Sequence, residues 1–342
     1  MKAAFYERNH TIRIGQSAPA APGPGEIEIE VAYCGICGTD VGIYHGKMDW
    51  RVASSQVMGH EMSGVVRSTG DGVSGFAAGD RVTVMPLDPC GECPACRAGY
   101  EHICRNLRFL GIDTPGAFQE RWIVPAHTAR ILPEGLSLSR AALIEPLAVA
   151  CHDVRLGELA SNDLAVVLGG GPIGTLIALV ARQSGARVIV SEINPYRVRH
   201  LEALDLEAVD PRAVDFPGLV DEASEGAGAD VVFEVTGHPS AAEMMTRLPK
   251  ARGLIVAVGI FAQPPKIDLF QFFWRELRLC GARVYENRDF DRAIELAASG
   301  DLPLDRLISD IYSLEDIKRG LDSMSTGGDV MKILIQCGDP EK

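Results

Sequence analysis

Two hydrophobic rhythms meet near Glu145. Before it the chain alternates with period 2, as a half-buried strand requires: residues 26–31 run Glu-Ile-Glu-Ile-Glu-Val, and 64–68 and 81–85 repeat the theme between turn signals such as Pro22-Gly-Pro-Gly25 and Gly70-Asp-Gly72. Beyond it, short apolar runs alternate with helix-like stretches. Leu164–Leu168 and 187–191 read as strands with an apolar helix over 173–184 between them, and 231–235 and 254–258 read as later strands of the same parallel sheet. Past Gly281 the pattern loosens, predicting helices over 291–299 and 314–324 and a closing strand over 331–336. The expected fold class is α/β, a β-rich part followed by a doubly wound parallel sheet, with no internal repeat.

Composition narrows the class. At 342 residues, 46% hydrophobic and 23% charged, the chain can bury two domains. No apolar run approaches the roughly 20 residues that span a bilayer. The net charge of −13 argues against nucleic acid or an anionic membrane as partner, while leaving room for a local basic pocket. No leader pattern precedes Met1-Lys2-Ala3-Ala4-Phe5, so a cytoplasmic protein is expected.

Cysteine spacing supplies the first chemistry. Cys90, Cys93 and Cys96 follow one another at two-residue gaps, and Cys104 closes the run. Tight turns of this kind aim thiolates at one ion, and Zn²⁺ takes four sulfurs tetrahedrally with no open position, which makes the site structural. Disulfides need an oxidising compartment, an iron–sulfur cluster needs an electron-transfer context, and a nucleic-acid-binding ribbon needs a basic surround, so zinc is the reading. Of the dispersed cysteines, Cys34, Cys151, Cys280 and Cys337 read as small hydrophobes.

The strand Leu164–Leu168 runs into Gly169-Gly170-Gly171-Pro172-Ile173-Gly174, a G-x-G-x-x-G turn that opens a helix. Gly169 permits the turn, Gly171 lets backbone approach a pyrophosphate, and Gly174 lets helix pack on strand, with the N–H groups of the helix start facing the anion. Glu192 ends the next strand near the spacing expected of an acid that binds the adenosine ribose hydroxyls. A carboxylate there repels the 2′-phosphate of NADP, so NAD is favoured; Arg197 could stack on adenine or, less favourably, hold that phosphate. Thr236, Val258 and Gly259 end later strands, as second-tier contacts.

Three further residues in turn-rich settings, Cys37, His60 and Glu145, form the thiolate, imidazole and carboxylate set that a catalytic zinc takes while keeping a position for substrate oxygen.

Together these segments resemble the zinc-containing medium-chain dehydrogenases, nearest the polyol (sorbitol-like) and threonine dehydrogenase branch. The carriers are Gly59-His60-Glu61-Met-Ser-Gly64 with Gly70 and Val73, the cysteine lobe, Cys37-Gly-Thr39-Asp40, Glu145-Pro146-Leu147 and the glycine fingerprint, in the family's order over nearly the whole chain. The resemblance implies a GroES-like catalytic domain over 1–147, with a structural-zinc lobe at about 88–105, a Rossmann NAD-binding domain over 148–280, and a return segment, 281–342, completing the first domain. It implies two zinc ions per chain, the catalytic one on Cys37 and His60 with Glu61, Glu145 or both. The implied reaction takes a hydride from a secondary alcohol, a polyol or sugar-derived alcohol, to NAD and yields a ketone. Thr39 is the first candidate for the proton's exit and His45 an outer member, or else a surface histidine. Gly42 stands where threonine-dehydrogenase-like relatives carry a histidine, which ranks an L-threonine substrate second, and Arg283 near Tyr285 is the candidate anion group for a phosphorylated polyol. A homo-dimer or homo-tetramer is implied. A non-enzymatic nucleotide-binding protein is the reading from another class, and retention of both metal sets argues against it.

Overall fold

In the computed structural model, which describes residues 1–18 and 21–339, the chain forms two compact units, 1–145 with 290–342 and 146–289. In the first unit, Glu26–Gly35 buries Ile27, Ile29 and Val31 completely while Glu26, Glu28 and Glu30 stay partly exposed, as their alternation requires. This strand pairs antiparallel with Glu61–Thr69 and Arg121–Pro125. The chain's closing strand, Lys332–Gln336, pairs with it as well, so the C-terminal segment enters the first unit's sheet. A second, three-stranded sheet joins Ile12–Gln16, Lys2–Tyr6 and Gln56–Val57.

The second unit is a six-stranded parallel sheet. Its order is Glu207–Val209, Arg187–Ser191, Leu164–Leu168, Ala229–Glu234, Pro249–Ala257, Arg278–Gly281. Leu164–Leu168 lies in the middle and the chain winds outward to both sides, which leaves a ligand crevice at its carboxyl end. Every residue of that strand is buried, and Pro172–Gln183 covers it with Leu176, Ile177 and Leu179. The boundary expected at 280 falls inside the last strand, and the unit runs on to Asp289. Ion pairing explains the extension: Arg155 Nε meets Asp289 Oδ1 at 2.6 Å, its Nη2 meets Glu286 at 2.8 Å, and His152 Nδ1 lies 2.8 Å from Asp289 Oδ2. The guanidinium already answers the charge of these acids, so the cluster is a latch for 286–289. Among the described residues no helix is long and apolar enough to cross a membrane.

Candidate functional site

The candidate metal ligands of the first unit converge from separate elements. Cys37 caps helix Gly38–Tyr44, where its sulfur accepts the Thr39 N–H at 3.4 Å and its own N–H donates to Asp40 Oδ2 at 2.9 Å, a reciprocal capping box. His60 immediately precedes and Glu61 begins the strand Glu61–Thr69, just after Gly59, whose φ of +97° and closeness to Cys34 and Phe118 admit no side chain. One ligand atom from each of Cys37, His60 and Glu61 lies within 4.8 Å of the others. Glu145 stands outside that trio, buried at the start of helix Ile144–Leu156.

The charge around His60 suits a cation. Burial alone would push the imidazole pKa down, yet Asp40, Cys37 and Glu145 raise it to about 10, so acidic groups face this ring. His60 Nδ1 has no hydrogen-bond partner and lies 3.8 Å from Asp40 Oδ1. Asp40 therefore serves two ends, holding the Cys37 turn through one oxygen and facing the imidazole with the other. A carboxylate behind a ligating histidine fixes the ring and strengthens it as a donor. The edge of Phe109 against His60, at 5.2 Å between centroids and 85°, limits the ring from another side. Lys332 is buried against the same cluster, paired with Glu61 and donating to the Ile36 carbonyl at 3.0 Å. Gly35 makes the pair possible, since a Cβ there would overlap the Glu61 carboxylate and touch Lys332 at 3.0 Å.

Asp40 and Lys332 are site residues that the sequence reading missed. Asp40 carried a signal, because an acid three residues after Cys37 is the second half of a capping box. A lone lysine in a closing strand carries none.

Four sulfurs gather in the cysteine lobe. Cys93 lies 3.5 Å from Cys96 and 3.8 Å from Cys104, and Cys104 lies 3.4 Å from Cys90. A tetrahedron of sulfurs about 2.3 Å from zinc has edges near 3.8 Å. All nine cysteines are free thiols, and these three spacings are far too long for disulfides.

Thr39 is half-buried beside Cys37, whereas His45 is exposed at the other end of the same helix. Both nitrogens of His45 are engaged. Ser325 Oγ gives its proton to the Leu321 carbonyl at 2.7 Å, so it accepts from His45 Nε2 at 2.9 Å, and His45 Nδ1 then accepts from His10 Nε2 at 2.9 Å. Arg283 is exposed and Tyr285 is fully buried, so these two do not present one anion-binding face.

In the second unit Gly169 takes φ of +105°, and the Gly170 N–H donates to Glu192 Oε2 at 2.9 Å. Gly171 is the N-cap of Pro172–Gln183 and offers no side chain to cap it, leaving the N–H groups of Ile173 and Gly174 at an open helix start. Glu192 also accepts from Ile193 and Asn194 N–H at 2.7 and 2.8 Å, so its carboxylate braces the glycine turn against the following loop. Arg197 lies over that turn, with Nη1 3.9 Å from Glu192. A Cβ on Gly169 would lie 2.7 Å from the Thr236 methyl, and the N–H groups of Val258 and Gly259 both donate to the Glu234 carbonyl at 2.8 Å, which brings these later strand ends to the fingerprint.

Residues 23–134 match the alcohol dehydrogenase GroES-like domain, and residues 172–299 match the zinc-binding dehydrogenase domain. The chain is a zinc-dependent medium-chain dehydrogenase. Within the family this dehydrogenase belongs to the polyol and threonine dehydrogenase branch, and it is an alcohol and polyol oxidoreductase with zinc and a nicotinamide dinucleotide as cofactors. It is 51% identical, over 98% of its length and 99% of the relative's, to a 2-dehydro-3-deoxy-L-galactonate 5-dehydrogenase of Pseudoalteromonas atlantica. A sorbitol dehydrogenase of Halalkalibacterium halodurans is 33% identical over 98% and 99% of the two chains. A solved structure from Sinorhizobium meliloti, assigned as a zinc-binding dehydrogenase and bound to NADP, superposes with a TM-score of 0.91 at 34% identity, covering 98% of each chain.

Proposed function

We propose that this dehydrogenase oxidises a secondary hydroxyl of a sugar acid, with NAD as acceptor. The observation that carries the substrate class is the 51% identity, end to end, to an enzyme that acts at C5 of a 2-dehydro-3-deoxy-sugar acid. Cys37 and His60 would hold the catalytic zinc, with Glu61 and Glu145 as its carboxylates. A zinc ion so held polarises a substrate hydroxyl and lowers its pKa toward neutrality. Asp40 orients His60, Lys332 holds Glu61 in position, and Thr39, two residues after Cys37, relays the hydroxyl proton, accepting it at Oγ1 as its own hydroxyl proton passes on toward solvent. The Gly169–Gly174 turn would cradle the pyrophosphate of a dinucleotide whose nicotinamide would supply the acceptor for the hydride of the carbinol carbon. Gly171, Pro172 and Ile173 shape that cradle, while Glu192 favours NAD over NADP by charge. Cys90, Cys93, Cys96 and Cys104 would hold the second, structural zinc. Nine free thiols suit a reducing compartment, the cytosol.

Initial rates of NAD reduction with 2-dehydro-3-deoxy-L-galactonate, L-galactonate, D-sorbitol, galactitol 1-phosphate and L-threonine, with NADP in parallel, test the reading. The sugar acids should lead in kcat/KM by at least roughly tenfold, the worth of one well-placed polar contact. Turnover of D-sorbitol or L-threonine with silence on both acids overturns the assignment.

We also propose self-association through the second unit. Strand Arg278–Gly281 pairs on one side only among the described residues. The helix leading into it, Leu269–Arg275, exposes Leu269 at 71%, Phe273 at 77% and Trp274 at 71%. An open edge beside an aromatic face is a surface that a protein covers, and a twofold axis sets two such edges antiparallel without a further element. Phe273→Glu with Trp274→Glu should halve the mass measured by light scattering. A wild-type chain that is monomeric at micromolar concentration refutes the proposal.

A further inference from the structure

Glu234 ends the strand Ala229–Glu234 and is completely buried, yet no cation pairs with it among the described residues. Its partners are all donors. Oε1 accepts the Thr236 N–H at 2.9 Å, the Thr236 hydroxyl and the Gly237 N–H at 3.1 Å, and Oε2 lies 3.2 Å from that same Gly237 nitrogen. The Thr236 hydroxyl is in turn oriented by the His238 N–H at 2.9 Å, which uses its lone pair and leaves its proton for the carboxyl group. An ionised carboxylate is acceptor-only, and this shell is its complement. Neutral dipoles therefore hold a full negative charge inside the unit, an arrangement that costs stability unless something else draws on it.

The surrounding backbone fixes where that charge lies. Gly259 approaches so closely that a Cβ would overlap the Gly237 nitrogen and come within 2.5 Å of Glu234 Oε2. Gly237 has φ of +62°, and a Cβ there would lie 2.5 Å from the Ile260 carbonyl. The two strand-end turns are thus locked to each other and to the carboxylate, and the Thr236 methyl packs toward Gly169 of the fingerprint. In a doubly wound sheet of this strand order the adenosine half lies over the strands beside Glu192, and the nicotinamide half lies over Ala229–Glu234 and its outer neighbours.

The two redox forms of the cofactor differ by one charge at that end: the oxidised ring is a pyridinium cation and the reduced ring is neutral. We infer that Glu234 is a positioning residue whose fixed negative charge favours binding of the oxidised over the reduced nicotinamide, so that NADH is held less tightly relative to NAD. The inference rests on the nicotinamide-binding reading and adds to it a preference between the two redox forms. A residue that only scaffolds the Thr236–Gly237 turn would affect both forms alike.

Dissociation constants for NADH, by its fluorescence, and for NAD, by calorimetry, separate the two roles in the intact zinc-replete protein. Glu234→Gln keeps the shape and removes the charge; the ratio Kd(NAD)/Kd(NADH) should rise roughly tenfold, the scale of one charge acting through protein. Glu234→Asp keeps the charge and Thr236→Val removes one donor, so both should leave the ratio within about twofold while each affinity falls. Equal weakening of both forms by Glu234→Gln, or a ratio shifted as far by Glu234→Asp, overturns the inference. Should Glu234→Gln not fold, as judged by circular dichroism, the pair Glu234→Met with Thr236→Val replaces acceptor and donor together by apolar groups and carries the same readout. A wild-type chain that binds neither nucleotide defeats the underlying reading, a result distinct from two affinities that fall in parallel.

Discussion

Cys37→Ser is expected to lower kcat by about a thousandfold or more and to leave one zinc per chain where the wild type carries two. The magnitude follows from removing a ligand that a serine hydroxyl, protonated at neutral pH, does not replace, and so losing several kcal/mol of charge stabilisation at the reacting oxygen. Folding is not the explanation for such a loss, because serine is a better helix N-cap than cysteine and keeps the start of Gly38–Tyr44. NADH affinity should stay within about twofold, since the fingerprint belongs to the other unit. The same substitution at Cys93 should behave differently, removing the lobe's zinc and lowering the melting temperature while metal at Cys37 and His60 persists. Elemental analysis beside kcat checks both: two zinc ions and a kcat within tenfold of wild type for Cys37→Ser would place the reactive metal elsewhere.

What the sequence made legible was local. The spacing of Cys90, Cys93 and Cys96 is itself the geometry that gathers their sulfurs, and a buried strand followed by glycine has few other folds, so Leu164–Leu168 and its turn lie where the pattern puts them. What escaped depends on pairing between distant segments. Lys332 reads as a surface cation until its strand returns beside Gly35, where the missing side chain of the glycine lets it reach Glu61. Glu234 looks like an ordinary strand-end acid until the turns after two strands close on it. Glu192 reads from the sequence as an acid at the end of a strand, and it follows Arg187–Ser191 directly, but its bonds to Gly170, Ile193 and Asn194 follow from the turn's conformation, which spacing does not encode. The aromatic run at Leu269–Arg275 gives no periodic signal, because nearly every position is apolar and the exposed face emerges only from what the helix packs against.

Gly174→Ala should abolish useful cofactor binding with the zinc sites intact. A Cβ at 174 would overlap the Gly169 carbonyl oxygen and touch Val167 at 3.4 Å. Something must then move, and the helix is the less able to do so: Leu176, Ile177, Ala178 and Leu179 are all buried beneath it. The glycine turn is held more lightly, by the Gly170 bond to Glu192 and by the Thr175 hydroxyl on the Gly170 carbonyl at 3.2 Å. It will yield, carrying the backbone donors away from the pyrophosphate they are shaped to meet. Loss of two or so charge-assisted hydrogen bonds corresponds to roughly a fiftyfold rise in the NADH dissociation constant, with about 1–3 kcal/mol of stability lost to overpacking. Gly42→Ala, where an added Cβ has nothing within 4 Å, controls for a general effect of losing glycine and should leave both quantities near wild type. Zinc content near two per chain in both variants would show that the damage is confined to the nucleotide unit; NADH affinity unchanged in Gly174→Ala would mean that the turn Gly169–Gly174 does not hold the dinucleotide.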